Sequence, residues 1–212
     1  MKKNKWLLVL GLFLLGSAVL AEFSFLLVDN FESGSADKWY KFGSVELSVV
    51  KNASTEARDS VAESCGDYSL LLKGRTDNWY VGGIGTDLRV DASPFSRLQI
   101  DVYGSDAGGT LKVELFDDDA GSPNVELDAS KDYIPTKDDK WVAAVPIAGK
   151  GFTRISIPFS AFKLDNPGVG DGIWNVDQKN GKYGLLKIQL VLLAATQKGS
   201  AEARIDNILL TY

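Results

Sequence analysis

The sequence predicts an all-β protein, an antiparallel β-sandwich of the jelly-roll type. Its apolar residues alternate with a period of two within short segments, which is the pattern of strands that bury one face. Turns rich in Gly, Asn and Asp separate these segments, and the chain contains 21 glycines. No helical period persists after the N-terminal segment. Short strands at this spacing are typical of a sandwich with one shared core.

The N-terminal segment, residues 1–21, has the features of a secretory signal peptide. Three lysines precede an apolar run at residues 6–15, and small residues follow at 16–21. The apolar run is shorter than the ~20 residues that a membrane-spanning helix needs. We therefore predict cleavage, with an uncleaved membrane anchor as the alternative. Residues 22–212 are then predicted to form a single exported domain, which is periplasmic, on the cell surface or secreted.

The predicted strands follow one another along this domain, with a short helical turn at residues 158–162 and a long polar loop at 51–66. Leu98, Ile100 and Val102 alternate with polar residues, so they are predicted to face the core. The strands are predicted at residues 25–31, 39–42, 45–50, 68–73, 79–84, 98–103, 111–117, 141–147, 154–158, 185–193 and 203–212.

Acidic residues occur in the first and last of these strands. Asp29 and Glu32 lie at the start of the domain and Asp206 near its end. The first and last strands of a sandwich can lie side by side, which would bring these carboxylates together. Two interpretations stay open: the carboxylates bind a cation, or they form a solvated rim.

Composition excludes several classes of function. The chain has no histidine, which removes Ser-His-Asp and Cys-His catalysis and the usual zinc sites. Its net charge of −5 becomes −8 without the N-terminal segment, which carries three lysines and no acids. Nucleic acid is therefore excluded as a partner. A carboxylate pair for glycoside hydrolysis stays open in principle, but 28 acidic residues make such a pair expected by chance. We predict that the protein is not an enzyme.

Two further features are assigned structural roles. Residues 117–121 read Asp-Asp-Asp-Ala-Gly, which resembles the start of a calcium loop but lacks its later acidic ligands. We expect this segment to be a solvated loop at the end of a strand. Cys65 is the lone cysteine, so no disulfide forms within the chain, and we expect it to be buried.

Aromatic residues are the main candidates for ligand binding, since sugar rings stack on Trp and Tyr. Trp79 and Tyr80 are adjacent in a predicted strand, so one should enter the core and the other face outward. Tyr103 is predicted on the polar face of its strand. Trp174 lies in a Gly-rich loop, where a rim position and a core position both stay open.

Several short motifs together resemble a known family. They are LVDNFE at 27–32, Trp39, GDYSL at 66–70, NWY at 78–80, FSRLQIDVYG at 95–104, ISIPF at 155–159 and IDNI at 205–208. These motifs are similar to those of galactose-binding-like jelly rolls, in particular β-glucan-binding carbohydrate modules and the related domain of a mitochondrial complex I assembly factor.

The resemblance implies a two-sheet sandwich with one structural Ca²⁺ held by Glu32 and Asp206, with Asp29 a weaker ligand. It also implies a glycan lying across the concave sheet. A second resemblance, to the sheath proteins of spirochaete periplasmic flagella, implies a structural protein that associates with itself or with an envelope partner.

These observations lead to a non-catalytic, exported glycan-binding module as the predicted function. The alternative is a self-associating protein of an envelope, surface coat or filament sheath. The predicted ligand residues are Trp79, Tyr80, Tyr103 and Trp174 for stacking and Arg97, Gln99 and Asp101 for hydroxyl contacts.

Overall fold

The computed structural model describes residues 25–53, 66–104, 108–131, 133–149 and 151–212. The predicted signal segment, Cys65 and most of the predicted loop at 51–66 lie outside these residues. Within them, no helix has the length and apolar character needed to span a membrane.

Strands make up most of the described chain. They are β1 (Leu26–Asp29), β2 (Tyr40–Gly43), β3 (Glu46–Lys51), β4 (Tyr68–Thr76), β5 (Tyr80–Val90), β6 (Arg97–Gly104), β7 (Thr110–Asp117), β8 (Leu127–Asp128), β9 (Ile134–Pro135), β10 (Lys140–Pro146), β11 (Gly151–Pro158), β12 (Lys163–Leu164), β13 (Leu185–Leu193) and β14 (Gly199–Thr211). Two 3₁₀ turns, η1 (Ala129–Lys131) and η2 (Phe159–Ala161), interrupt them. The second lies within the short helical turn predicted at 158–162.

The strands form two six-stranded antiparallel sheets. Sheet A has the order β11-β6-β14-β4-β3, and β1 pairs with β14 beside this path. Sheet B has the order β12-β10-β7-β13-β5-β2, and β8 and β9 form a separate hairpin. The predicted all-β antiparallel sandwich is confirmed.

One hydrophobic core lies between the sheets. Leu98 and Ile100 of sheet A are fully buried, as are Ile188, Leu190 and Leu192 of sheet B, and all belong to the same cluster. The alternation predicted in residues 98–103 is therefore confirmed. Burying such aliphatic side chains stabilises the fold by about 1.5–3 kcal/mol each.

The first and last strands lie side by side, because β1 pairs with β14 from Leu26 opposite Leu210 onward. A β-bulge interrupts β14 between Asp206 and Leu209, and Asn207 has φ +42° there. Asn tolerates this left-handed backbone better than most residues. The bulge brings the Asn207 side chain to the same side of the sheet as the Asp206 side chain. It therefore changes which side chains the end of β14 directs to that side.

The predicted division of Trp79 and Tyr80 between core and surface is wrong. Trp79 has φ +68° and precedes β5, so regular strand alternation does not apply to it. Both side chains are exposed, at 51% for Trp79 and 42% for Tyr80.

Candidate functional site

The outward side of sheet B carries two aromatic rings that lie against glycines. Tyr40 pairs with Gly85 and Phe42 with Gly83, and the ring centroids are 6.2 Å apart. A Cβ at Gly85 would lie 2.4 Å from the Tyr40 hydroxyl, and one at Gly83 would lie 2.6 Å from the Phe42 ring. The missing side chains therefore make the room that the rings occupy.

Polar side chains continue this surface across neighbouring strands. Gln189 of β13 pairs with Gly85 on one side and with Glu114 of β7 on the other. Its Nε2 donates a hydrogen bond of 2.8 Å to the Tyr40 hydroxyl, and Lys187 Nζ lies 5.4 Å from the Tyr40 ring centroid. We call the outward side chains Tyr40, Phe42, Lys112, Glu114, Lys187 and Gln189 the sheet B face.

Charges on the sheet B face are arranged in pairs. Lys112 Nζ lies 2.8 Å from the Glu114 carboxylate and 3.7 Å from that of Asp165. Burial lowers the pKa of Lys112, but the hydrogen bonds and charges of Glu114 and Asp165 together outweigh it and raise the pKa. Burial and then the charge of Glu114 raise the pKa of Tyr80. The phenol of Tyr80 thus stays a neutral hydrogen-bonding group at neutral pH.

The outward side of sheet A has a different character. Asp101 is fully buried, and its two carboxylate oxygens accept hydrogen bonds from Arg154 Nε and Nη2 at 2.8 and 2.9 Å. Asn207 Nδ2 donates a third at 2.9 Å. A fully buried carboxylate that accepts these three hydrogen bonds presents no accessible oxygen to a ligand, so Asp101 is not placed to make the predicted hydroxyl contacts.

Aromatic packing continues this surface. The Tyr103 ring meets the fully buried Phe152 ring edge-on at 5.4 Å. The Arg204 guanidinium lies 5.1 Å from the Tyr103 ring centroid, within the range of a cation–π contact. We call the outward side chains Gln99, Asp101, Tyr103, Phe152, Arg154 and Arg204 the sheet A face.

The seven predicted ligand residues do not form one surface. Arg97, Gln99, Asp101 and Tyr103 lie on β6 in sheet A, whereas Trp79 and Tyr80 lie at the start of β5 in sheet B. Trp174 packs between Trp141 and Phe159, with ring centroids at 5.6 and 5.0 Å, against the core. Among the residues predicted for ligand contact, Tyr80 adjoins the sheet B face.

Sequence reasoning missed the residues of the sheet B face. Tyr40 belongs to a predicted strand and is one of the aromatic residues available for stacking, but it is not among the predicted ligand residues, and neither are Phe42, Gln189 and Glu114. The detectable signal was the Gly-rich stretch of β5, because glycines inside a strand mark places where another group approaches closely.

The predicted cation ligands are only partly brought together. Asp206 is fully buried, its Oδ2 has no hydrogen-bond partner among the described residues, and the charge of Glu32 acts on it. Burial, followed by the charges of Asp101 and Glu32, raises the pKa of Asp206 to about 7, although the backbone hydrogen bond from Asn207 opposes this. A buried carboxylate of this kind lacks a sufficient counter-charge.

The other two predicted ligands have protein partners. Glu32 accepts hydrogen bonds from the amides of Asp67 and Tyr68 at 3.1 and 3.0 Å. Asp29 accepts one of 2.7 Å from Trp39 Nε1 and lies 3.2 Å from Lys38 Nζ. Asp29 therefore already has a positive partner.

A second acidic group lies at one end of sheet B. Asp117 and Asp139 are fully buried and Asp119 is half-buried, with one carboxylate oxygen of each within 4.8 Å of the others. The expectation of a solvated loop at residues 117–121 is wrong for Asp117 and Asp118, which are fully buried, whereas Ala120 and Gly121 are exposed. Asp119 is hydrogen-bonded to Asp138 and Asp139, the residues directly before β10. The carboxylates of Asp117, Asp119 and Asp139 could hold a metal ion.

The two sheets, their antiparallel order and the paired terminal strands define the class of fold. It resembles the galactose-binding-like jelly rolls of carbohydrate-binding modules, as the sequence motifs implied. No protein-family model and no curated protein matches the sequence.

Solved structures are similar over most of the chain. A family 11 carbohydrate-binding module from Clostridium thermocellum, in complex with a β-1,3-1,4-mixed-linked tetrasaccharide, has a TM-score of 0.57 and 16% identity, covering 88% of this chain and 95% of that one. The solution structure of CtCBM11 has a TM-score of 0.57 and 16% identity, covering 91% and 97%. An exo-β-agarase has a TM-score of 0.54 and 12% identity, covering 88% of this chain and 25% of its own. At these identities the likeness is one of fold.

Proposed function

We propose that this protein is a non-catalytic module that binds a polysaccharide on the sheet B face. The observation that carries the proposal is the row of Tyr40, Gln189 and Glu114, which crosses four neighbouring strands around Gly85. Aromatic rings beside planar polar groups match a sugar chain, whose C–H faces stack on rings and whose hydroxyls exchange hydrogen bonds.

The accessibility of the aromatic and amide groups supports this choice of face, whereas Glu114 is only 7% exposed. Tyr40 and Tyr80 are each 42% exposed, and Gln189 and Lys112 are half-buried. The solved family 11 module is described in complex with a mixed-linked β-glucan fragment, which supports β-glucans as the first ligands to test.

Isothermal titration against soluble mixed-linkage β-glucan, xylan and galactan tests the proposal. We expect saturable binding to at least one of them, and we expect Tyr40→Ala to weaken it ~10–100-fold, the effect of losing a central aromatic contact. Tyr103→Ala is the matched control, because it removes a ring of the same type from the sheet A face. Its melting temperature and that of Tyr40→Ala show whether each variant is folded.

Three results would contradict the proposal. They are the absence of heat with every glycan for the folded protein, equal binding by the wild type and Tyr40→Ala, and a loss confined to Tyr103→Ala.

We further propose that Glu32 and Asp206 hold one Ca²⁺ ion. The buried, unpartnered Oδ2 of Asp206 supports this, because a divalent cation would supply its missing counter-charge. Asp29 contributes less in this proposal, since Lys38 already neutralises it. Addition of Ca²⁺ to chelator-treated protein should raise the melting temperature, and Asp206→Asn should reduce this gain. An equal gain in the variant would contradict the assignment.

Export and the absence of catalysis belong to the same proposal. Residues 1–21 would be removed as a signal, leaving 22–212 as a single domain in the periplasm, on the surface or in the medium. N-terminal sequencing of the exported protein checks the cleavage point. Release of reducing sugar from any bound glycan would contradict the non-catalytic role.

Self-association is the second candidate function, favoured by one observation. The β8–β9 hairpin and its turn expose Leu127, Tyr133 and Ile134 at 39%, 67% and 45%. Light scattering at high protein concentration tests it, with Tyr133→Ser as the variant expected to lower any oligomer. A monomer at all concentrations would reject it.

A further inference from the structure

The acidic group at the end of sheet B is brought together by strand pairing. Asp117 ends β7, and Asp139 directly precedes β10, which pairs with β7 from Lys140 opposite Phe116. The loop between β12 and β13 closes over the same end, because Asn175 N donates 2.8 Å to Asp117 Oδ2. Three separate segments therefore meet here, and each contributes carboxylate or amide oxygens.

Hydrogen bonds fix the carboxylates but leave one oxygen free. Asp117 Oδ1 accepts 2.9 Å from Trp141 Nε1, Asp119 Oδ2 accepts 3.0 Å from Asp139 N, and Asp139 Oδ2 accepts 2.6 Å from Gly172 N. Asp139 Oδ1 has no hydrogen-bond partner among the described residues, although the side chain is fully buried.

The free oxygen points into the group. A Cβ at Gly170 would lie 2.0 Å from Asp119 Oδ2 and 2.5 Å from Asp139 Oδ1. These two oxygens therefore converge on the space beside Gly170. Asn175 Oδ1 is a further buried oxygen without a partner, on a residue whose Nδ2 already contacts Asp119 at 3.3 Å.

Within the part of the chain that the structure describes, no positive side chain neutralises the group. Among the described residues, Asp117, Asp119 and Asp139 form no ion pair with Lys or Arg. Lys182 Nζ contacts the backbone oxygen of Asp119 instead. Because their carboxylate oxygens lie within 4.8 Å of one another, the negative charges of the three residues repel each other. Buried carboxylates in proteins are otherwise paired or bound to metal.

We propose that Asp117, Asp119 and Asp139 bind a Ca²⁺ ion that ties together the end of β7, the start of β10 and the loop before β13. The ligand atoms are all oxygens, which a hard cation prefers. The three carboxylate oxygens lie within 4.8 Å of one another, so one ion with Ca²⁺–oxygen bonds of ~2.4 Å could contact all three. This site is separate from the one proposed at Glu32 and Asp206.

Metal binding can be measured on the intact protein after chelation. Tb³⁺ replaces Ca²⁺ at oxygen sites and emits when a nearby tryptophan is excited, and the Trp141 indole is bonded directly to Asp117. We expect tryptophan-sensitised emission that excess Ca²⁺ displaces. Asp139→Asn should remove the part of this emission that comes from Tb³⁺ beside Trp141, and it should lower the Ca²⁺ stoichiometry by one ion per chain or weaken the affinity of this site at least ~10-fold.

Two control variants separate this site from general effects of charge. Asp177→Asn removes a carboxylate from the loop between β12 and β13 that lies 3.5 Å from Lys179. This variant should leave the Tb³⁺ emission and the Ca²⁺ stoichiometry unchanged. Asp206→Asn should retain the tryptophan-sensitised emission that Asp139→Asn loses.

Melting temperatures distinguish a metal site from a merely structural carboxylate. In chelator, Asp139→Asn should melt no lower than the wild type, because it removes a repelling charge. Addition of Ca²⁺ should raise the melting temperature of the wild type more than that of the variant. The proposal is overturned if the wild type binds no Ca²⁺ or Tb³⁺, if Asp139→Asn binds as many ions with equal affinity, or if Asp139→Asn melts lower by the same amount with and without Ca²⁺.

Discussion

The two outer faces of the sandwich use polar and aromatic residues in opposite ways. On the sheet A face, Asp101 and Phe152 are fully buried and bonded or packed to their own neighbours. On the sheet B face, Tyr40 lies over a glycine and stays 42% exposed. Polar and aromatic residues on a sheet thus indicate a ligand surface only when the fold leaves them accessible.

The largest expected effect of a single change is on the sheet A face. Asp101→Ala would leave Arg154, whose side chain is 28% exposed, without its carboxylate. We expect the free energy of unfolding to fall by about 2–3 kcal/mol, less than the ~3–5 kcal/mol of a fully buried pair, because water partly compensates Arg154. Urea denaturation measures this, and glycan affinity should not change. A loss below about 1 kcal/mol would show that the pair is not structural.

An effect of intermediate size, on glycan affinity, is expected from a substitution that adds a methyl group to the sheet B face. Gly85→Ala would place a methyl group 2.4 Å from the Tyr40 hydroxyl and displace the ring. We expect glycan affinity to fall ~10-fold, about 1.4 kcal/mol, by titration. Ser156→Ala on sheet A is the control and should bind as the wild type does. Unchanged affinity in Gly85→Ala would show that glycan binding does not depend on the position of the Tyr40 ring.

The smallest effect is expected from the charges at the border of the sheet B face. Asp165 lies 2.7 Å from Lys140 Nζ and 3.7 Å from Lys112 Nζ. Burial opposes the shift, but the hydrogen bond and charge of Lys140, then those of Lys112, hold the pKa of Asp165 below its usual range. We expect Asp165→Asn to cost about 0.5–1 kcal/mol of stability at neutral pH, because the pair is partly exposed.

The sign of the pH dependence follows from that lowered pKa. The stabilisation is present above the pKa of the unfolded chain and disappears as the pH falls through the pKa of the folded protein. Urea midpoints of the wild type and Asp165→Asn should therefore converge in acid. If the difference between the two urea midpoints stays constant as the pH falls, the effect of the substitution comes from packing and not from charge.

Much of the fold followed from local pattern. The alternation of Leu98, Ile100 and Val102 predicted the core side of β6, since a strand offers only two faces. The same rule failed at Trp79, because its left-handed backbone lies outside a regular strand. The expectation of a solvated loop failed at Asp117, because strand pairing carries this residue into an enclosed acidic group.

The sequence by itself determined that this is an antiparallel sandwich, that its first and last strands can pair, and that histidine chemistry is excluded. Tertiary structure alone decided which residues share a surface. Tyr40 and Gln189 are hydrogen-bonded although 149 positions apart, and their pairing depends on the register of β2, β5 and β13. Alternation fixes the two faces of each strand, but the packing of the sheets determines which outward groups stay exposed and which satisfy one another.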